Sequence, residues 1–476
     1  MPSRLSTGEG NAPARPAGTA AWVESPRKLL LPLALAQFIC SFAGSNMNVM
    51  INDISKDLDT TIQGVQTAIT LFLLIMAILM IPGSKLTDKW GRKRCFLGGL
   101  LLYGVGALLS AASPGLGVLI LGNSVFEGVG TALLIPPVYI LTTLAFSDTA
   151  SRAKAFGAIS AMGGIGAATG PLIGGVITTA ISWRAAFIFQ AAVVATIILL
   201  SRRLTDPIAP DPDRPFDLAG ALLSGAGLFF LVFGILQAQS DLTLMAILMV
   251  VGVAFLVWFF LYTRGRERAG KEPLLSLSLF RNRVSDLGLV TQNIQWLLLM
   301  GITFVVSVYL QTVRDFNAVK TGVIFTALTL GILVSSLGAE RLARKYEQRS
   351  LIRAGFVLTI AGIALLLALV REAGNISAFV PGLVVAGLGL GLMLTPSVNV
   401  VQSAFPESRQ GEISGLSRSV SNLGSSLGTA IAGTILVSDL ASGNQSYVLA
   451  MISLAAIALI GLAAALRLPA ERRGAS

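Results

Sequence analysis

Histidine is missing from all 476 residues, cysteine occurs twice, and charged residues make up only 12% of the chain. Without histidine there is no His-based catalysis, no His proton relay and no zinc site of the usual kind, so any proton chemistry must run on carboxylates. Cys40 and Cys95 are expected in the first membrane segment and near the inner end of the third, so no disulfide is expected, and two thiols are too few for a metal centre. No Gly-Lys-Ser/Thr loop is present to cradle a phosphate, which excludes nucleotide-driven work within this chain. Alternating ten-residue strands are also lacking, which argues against a membrane barrel. No metal and no cofactor are expected.

What is abundant is apolar length. The chain is 54% hydrophobic with a mean hydropathy of +0.77, whereas a soluble domain carries about a quarter charged residues. Cutting the sequence at its charges leaves fourteen uncharged runs of at least 17 residues, the first 29–52 and the last 440–466. Each is long enough to cross a bilayer as a helix. The fold class is therefore an all-α polytopic membrane protein. The net charge of +11 would suggest nucleic acid in a soluble protein, but its placement argues otherwise. With the N-terminus inside, only Lys56, Arg184, Arg314, Lys320 and Arg371 of the 35 Lys and Arg fall in outer loops, leaving 30 inside. Such a bias fits fourteen spans with both termini cytoplasmic, and an odd number of spans would break it. Membrane lipids, not nucleic acid, are the expected contact for the basic face.

The spans divide as six, two and six. Residues 1–27 read as a disordered cytoplasmic tail rich in Pro, Gly, Ser and Ala. A six-helix bundle is expected over 28–203 and a linker with two extra spans over 204–274. A second six-helix bundle covers 275–468, and a short cytoplasmic tail 469–476. A weak repeat supports this division: the basic turn Gly83–Arg94 follows the second span, and Gly338–Lys345 follows the second span of the last six.

Three motif regions carry a family resemblance. In the 83–94 segment, Leu86, Asp88, Gly91, Arg92 and Lys93 match Gly-x-Leu-x-Asp-x-x-Gly-Arg-Lys/Arg, with Gly83 one residue early and Ser84 in the first glycine's place. In 157–175, Gly157, Gly166, Gly170, Pro171, Gly174 and Gly175 lie in one chargeless stretch, where small residues let helices approach closely. In the fourth span, Ser124–Gly130 is similar to Arg-x-x-Gln-Gly-x-Gly, but Ser124 replaces the arginine and Glu127 the glutamine. These motifs and the span layout resemble the major facilitator superfamily, in its fourteen-helix drug/proton antiporter branch. The 83–94 loop resembles its signature between helices two and three, and the glycine stretch its antiporter motif in helix five. Trp183-Arg184 with Phe187 is similar to the family's motif opening helix six, an outer-interface anchor.

The resemblance implies two six-helix bundles rocking around a midplane cavity, in the plasma (inner) membrane of a bacterium. It implies conformational gating by Gly83, Asp88, Gly91, Arg92 and Lys93 and by the glycine face. The family's first-helix Asp position is Ala43 here, and its fourth-helix Arg, linked to proton transfer, is Ser124. Glu127, an intramembrane carboxylate, is a functional candidate by default and is assigned proton coupling. Its alternative is a structural hydrogen-bonding role.

Candidate cavity residues are Asn48 and Asn123 in the first half and Gln292, Asn293, Gln295, Trp296 and Asn399 in the second, where amides beside an aromatic can orient a ligand. Hydrogen bonding between helices is the alternative for them. Asn46 and Asn48 point about 200° apart on a helix, so one faces the cavity and the other packs. Glu412 and Arg418 read as separate interfacial or gating charges, and Pro136-Pro137 and Pro396 as kinks. The implied function is proton-coupled export, by alternating access, of a small lipophilic or cationic compound. The protein is expected to be a monomer and not an enzyme. Open alternatives are an importer or uniporter of the same fold, a dedicated lipid or metabolite exporter, and a membrane sensor without transport.

Overall fold

The computed structural model describes residues 26–146, 149–202, 204–206, 209–238, 240–343, 345–370, 376–406, 409–437 and 444–469. The two terminal tails and part of the 338–345 turn lie outside these residues. Among the described residues every regular element is helical. Helix α1 (Pro26–Asn46) passes through a 3-10 turn, Met47–Met50, into α2 (Ile51–Asp57). Helix α3 (Ile62–Trp90) starts where the Thr61 side chain accepts a hydrogen bond from the Gly64 amide at 3.1 Å. It stops at Gly91, whose φ of +93° lies in a region that L side chains rarely adopt. Helix α4 is Arg92–Ala111. A short α5 (Leu116–Leu119) continues as a π-helical stretch, Ile120–Glu127, into α6 (Gly128–Ala145).

Helix α7 (Thr149–Ala180) is bent by 40° between Lys154–Ala167 and Thr169–Ala180. Pro171 accounts for the bend, because it cannot donate to the carbonyl of Ala167 and its ring crowds that turn. Helix α8 is Trp183–Leu200. The pair α9 (Leu218–Leu236) and α10 (Leu242–Arg268) forms a hairpin seated on α3 through α9. Then come α11 (Arg283–Val308), which ends in a second π stretch (Tyr309–Val313), α12 (Ala318–Ala343), α13 (Gln348–Val370), α14 (Phe379–Gln402), α15 (Gln410–Val437) and α16 (Asn444–Leu466).

Among the described residues twelve helices are long and apolar enough to cross a membrane, and the bent α7 makes thirteen. The 28-residue α15 is serine-rich and less apolar than these. Helices α1–α8 pack among themselves, as do α11–α16, and the two groups meet along α3 with α15 and α7 with α12. Side chains that would be costly in lipid are thus gathered inside the bundles and on the seams between them.

Candidate functional site

Close approach of backbones shapes the interior of the first bundle. A side-chain carbon added at Gly106 on α4 would stand 2.6 Å from the Gly122 carbonyl and 2.8 Å from the Glu127 amide. One added at Gly130 would stand 2.7 Å from the Tyr103 amide. Glycine at these crossings presses the π-helical stretch onto α4, and such stretches recur at functional sites. The stretch ends on Glu127, which is fully buried. Neither of its carboxylate oxygens has a hydrogen-bond partner.

The Tyr103 and Ser110 hydroxyls are polar neighbours of Glu127, but both are engaged elsewhere. Tyr103 donates to Gln190 Oε1 on α8 at 2.5 Å, and Ser110 to the Gly106 carbonyl at 2.9 Å. The groups around Glu127 are also left over: Thr131 Oγ1, Asn123 Nδ2 and Gln190 Nε2 are buried without partners. Ser124, in the family's arginine position, donates to the Ala68 carbonyl at 2.7 Å and ties the stretch to α3. A buried carboxyl in this setting can hold a proton, and among the described residues no Lys or Arg is within ion-pairing distance of it.

The end of the molecule bearing the α3–α4 loop is here called the basic end. At the opposite end, the Asn48 carbonyl accepts from Gln311 Nε2 at 2.8 Å and from the Ser307 hydroxyl, while the Asn52 amide donates to Gln311 Oε1 at 3.0 Å. Asn48 thus joins α1 to α11 across the two bundles, and Gln311 lies in the second π stretch. Asn46 is buried against α7 instead, with both side-chain polar atoms unpartnered. Nearby, the Trp183 indole N–H donates to Asp57 Oδ2 at 3.0 Å, and Arg184 pairs with the same carboxylate.

The glycine face divides its work. Gly166 abuts the Phe38 carbonyl, Gly170 abuts Ser45 and Phe42, and Gly174 abuts Asn46, all on α1. Gly175 meets the Ala318 carbonyl, and the Pro171 carbonyl meets Gly322, both on α12 of the other bundle. Gly157, nearer the basic end, has open space where a side chain would be.

At the basic end Asp88 accepts from Arg92 at 2.8 Å and from Arg214 at 2.9 Å. Glu272 accepts from Lys85 at 2.9 Å and lies 3.7 Å from Arg214. Arg214 precedes α9 and Glu272 follows α10, so the last turns of α3, through Lys85 and Asp88, grip both ends of the hairpin. The hydrogen bond from the Lys85 ammonium, outweighing partial burial, holds the Glu272 carboxyl below its ordinary range. The Lys93 amide donates to Asp206 at 3.2 Å, and that carboxylate also fills the space beside Gly91. Gly83 sits against the Ala132 carbonyl, setting α3 close to α6.

The second bundle answers Gln292 and Asn293 internally. Gln292 donates to Ser421 at 2.8 Å and accepts from Ser417 at 2.9 Å, and Asn293 donates to the Val420 carbonyl at 2.9 Å. These bonds join α11 to α15. Gln295 donates to the Leu390 carbonyl on α14 at 3.2 Å and leaves its own carbonyl oxygen unpaired. Trp296 and Asn399 are half-buried on α11 and α14. Glu412 accepts from the Ser276 amide at 2.9 Å. The structure therefore brings Glu127 and Asn123 together in the first bundle and puts Asn48 at the far seam. It places Gln292, Asn293 and Gln295 in links within the second bundle. Sequence reasoning did not single out Tyr103, Tyr139, Gln190 or Gln311. Gln190 could have been found as the one amide in the run 185–201.

The protein-family model for the Major Facilitator Superfamily matches residues 33–429 and, in a second alignment, 289–476. The chain is 31% identical over 411 residues to the puromycin resistance protein pur8 of Streptomyces alboniger, covering 85% of this chain and 81% of that one. It is 26% identical to the multidrug resistance protein Stp of Mycobacterium tuberculosis, covering 88% and 77%. A crystal structure of the peptide transporter POT in complex with alafosfalin shares its fold, with a TM-score of 0.67 at 15% identity over 92% of this chain and 94% of that one. The helical layout, the two seams and these matches agree: this multi-pass membrane transporter belongs to the Major Facilitator Superfamily.

Proposed function

We propose that the protein is a proton-coupled antiporter of the fourteen-helix branch that expels a small lipophilic compound, with Glu127 as the proton-carrying group. The observation that carries this reading is the fully buried Glu127 carboxylate, without a hydrogen bond, at the end of a π-helical stretch. A carboxyl in that position favours one conformation when protonated and another when charged, which is the differential affinity that coupling requires. The glycine-bearing α7 contacts both α1 and the opposite bundle, which suits a helix along which the bundles move. The names of pur8 and Stp, both resistance proteins, support outward transport of small molecules.

In this reading α15, polar because it lies between α11 and α3, is counted with the thirteen apolar spans to make fourteen. The bundles are 28–203 and 275–468, the insertion is 204–274, and both termini face the cytoplasm of a bacterium. The protein works in the plasma membrane as a monomer among lipids.

Proteoliposomes with an imposed pH gradient test the reading. A panel of lipophilic compounds should include one that accumulates against its own gradient as protons run the other way, and accumulation should stop when the pH gradient is collapsed. Accumulation in the same direction as the protons, or transport indifferent to the gradient, would refute antiport. Cysteine labelling should place the 202–214 and 264–283 segments on the same side as the termini, as the distribution of Lys and Arg requires. Finding them on opposite sides would remove the two-helix insertion.

A further inference from the structure

Arg418 lies within α15, well inside the helix from its start at Gln410, and is half-buried. A guanidinium at such a place is rare without a carboxylate beside it. Among the described residues no Asp or Glu is within ion-pairing distance of it. Instead Arg418 reaches across the gap between the bundles, donates to the Tyr139 hydroxyl on α6 and lies over the Tyr139 ring at 4.4 Å. Tyr139 donates in turn to Gln37 Oε1 on α1 at 3.2 Å and stacks on Phe156 of α7, with ring centroids 5.9 Å apart and planes inclined by 15°. One cation and two flat rings, from three helices and both bundles, therefore share one place. On α7 the neighbouring Gly157 has open space beside it.

The ring and hydroxyl of Tyr139 both engage the guanidinium, the hydroxyl through Nη2. Among the described residues the remaining N–H donors of the planar fork have no hydrogen-bond partner. A guanidinium with a free edge is suited to a carboxylate, phenolate or sulfonate, which it can bind through two parallel hydrogen bonds. The rings beside it suit an aromatic body. Cys40 lies within electrostatic range of both Arg418 and Glu127, so the proton site and the cation belong to one neighbourhood.

We propose that Arg418, Tyr139 and Phe156 form a binding site for an aromatic anion, and that the exported compound carries such a group. That the anion is cargo rests on the export reading; that the site binds it does not.

Two dyes with the same xanthene frame test the charge preference: fluorescein, an anion, and rhodamine 6G, a cation. Binding is read by fluorescence anisotropy with purified protein in phosphatidylcholine nanodiscs and no pH gradient. Wild type should bind fluorescein saturably and more tightly than rhodamine 6G. Arg418→Gln should weaken fluorescein by about tenfold or more, as loss of a charge-assisted pair implies. Arg418→Lys should keep the preference for fluorescein at reduced affinity, which covers the case of a poorly folding Gln variant. Tyr139→Phe keeps the ring and releases the hydroxyl's hold on the guanidinium, so fluorescein affinity should stay within about threefold of wild type or rise.

Stronger binding of rhodamine 6G by wild type would overturn the proposal, as would unchanged fluorescein binding in Arg418→Gln. If Tyr139→Phe and Arg418→Gln lose fluorescein equally, the pair is a latch between bundles and the proposal is also wrong. Because no gradient is used, loss of the anion preference leaves antiport intact, and failure of antiport in liposomes leaves the binding result intact.

Discussion

The polar interiors of the two bundles are built on opposite plans. In the second, Gln292 and Asn293 are answered by serine hydroxyls and a backbone carbonyl of α15, and the bonds hold α11 and α15 together. In the first, the Glu127 carboxylate, the Thr131 hydroxyl, both polar atoms of Asn46 and the amide nitrogen of Asn123 are buried without a hydrogen-bond partner among the described residues. A buried unpaired polar group costs about 1–3 kcal/mol, more when charged. The second bundle has such groups too, among them Asp286 Oδ1, Gln295 Oε1 and the Tyr447 hydroxyl, but its Gln292 and Asn293 are answered where the fully buried Glu127 of the first is not. The difference teaches where to look for work: satisfied amides specify packing, while unsatisfied ones await a proton, a water or a ligand.

Close packing around the unsatisfied groups offers the strongest way to break this contrast. Gly170→Leu should abolish exchange while the protein remains in the membrane, because the new side chain would collide with Ser45 and Phe42 beside Asn46. Gly157→Ala, whose added carbon would have nothing within 4 Å, should transport at near wild-type rates in the same liposome assay. Equal rates for both variants would show that the glycine face is not a contact along which the bundles move.

A smaller effect is expected from a matched pair of leucine substitutions read by thermal unfolding in detergent. Gln292→Leu takes away the acceptor of the Ser417 hydroxyl, while Ser421 keeps its bond to the Ser417 carbonyl, and should destabilise by about 1 kcal/mol, a modest figure because polar groups in membrane proteins find partial substitutes. Asn123→Leu removes a group whose amide nitrogen has no partner, so it should be neutral or stabilising. The reverse order would erase the difference between the bundles.

The smallest effect is expected at the basic end, where charges are screened by water. The Glu272 carboxyl is held below its ordinary range, so its contribution is fully present above that range and is lost only as pH falls through its depressed value. The 264–283 segment should resist proteolysis equally from pH 7 down to about 4.3, the reference Glu value. Glu272→Gln should make it more readily cleaved at pH 7. Loosening of the wild-type segment between pH 7 and 5 would contradict the assignment of Lys85 as its anchor.

The helical class was legible because lipid demands uninterrupted apolar runs, and the 83–94 motif because Asp88, Gly91 and Arg92 have fixed spacing. What the sequence hid were the partners. Arg214 and Glu272 lie far along the chain from Asp88 and Lys85, so their ion pairs depend on how the α9–α10 hairpin folds back. The π stretches were invisible because they differ from an α-helix only in hydrogen-bond step, yet they set the positions of Glu127 and Gln311. Arg418 and Glu412, read from spacing as independent charges, do have separate partners, Tyr139 and the Ser276 amide. Serine signals nothing by composition, but Ser419 and Ser426 of α15 donate to the carbonyls of Ala77 and Thr70 along the whole seam with α3.

The central claim is that the unanswered carboxylate of the first bundle couples protons to transport, and Glu127→Gln tests it most directly. The variant mimics the protonated side chain and keeps its shape, so the bundle should fold and substrate binding should persist. Measured in proteoliposomes with an imposed pH gradient, Glu127→Gln should equilibrate substrate across the membrane but fail to concentrate it, where wild type concentrates it. If the variant still accumulates substrate against its gradient with wild-type pH dependence, Glu127 is not the coupling group, and that role passes to another carboxylate such as Glu412 or Asp88.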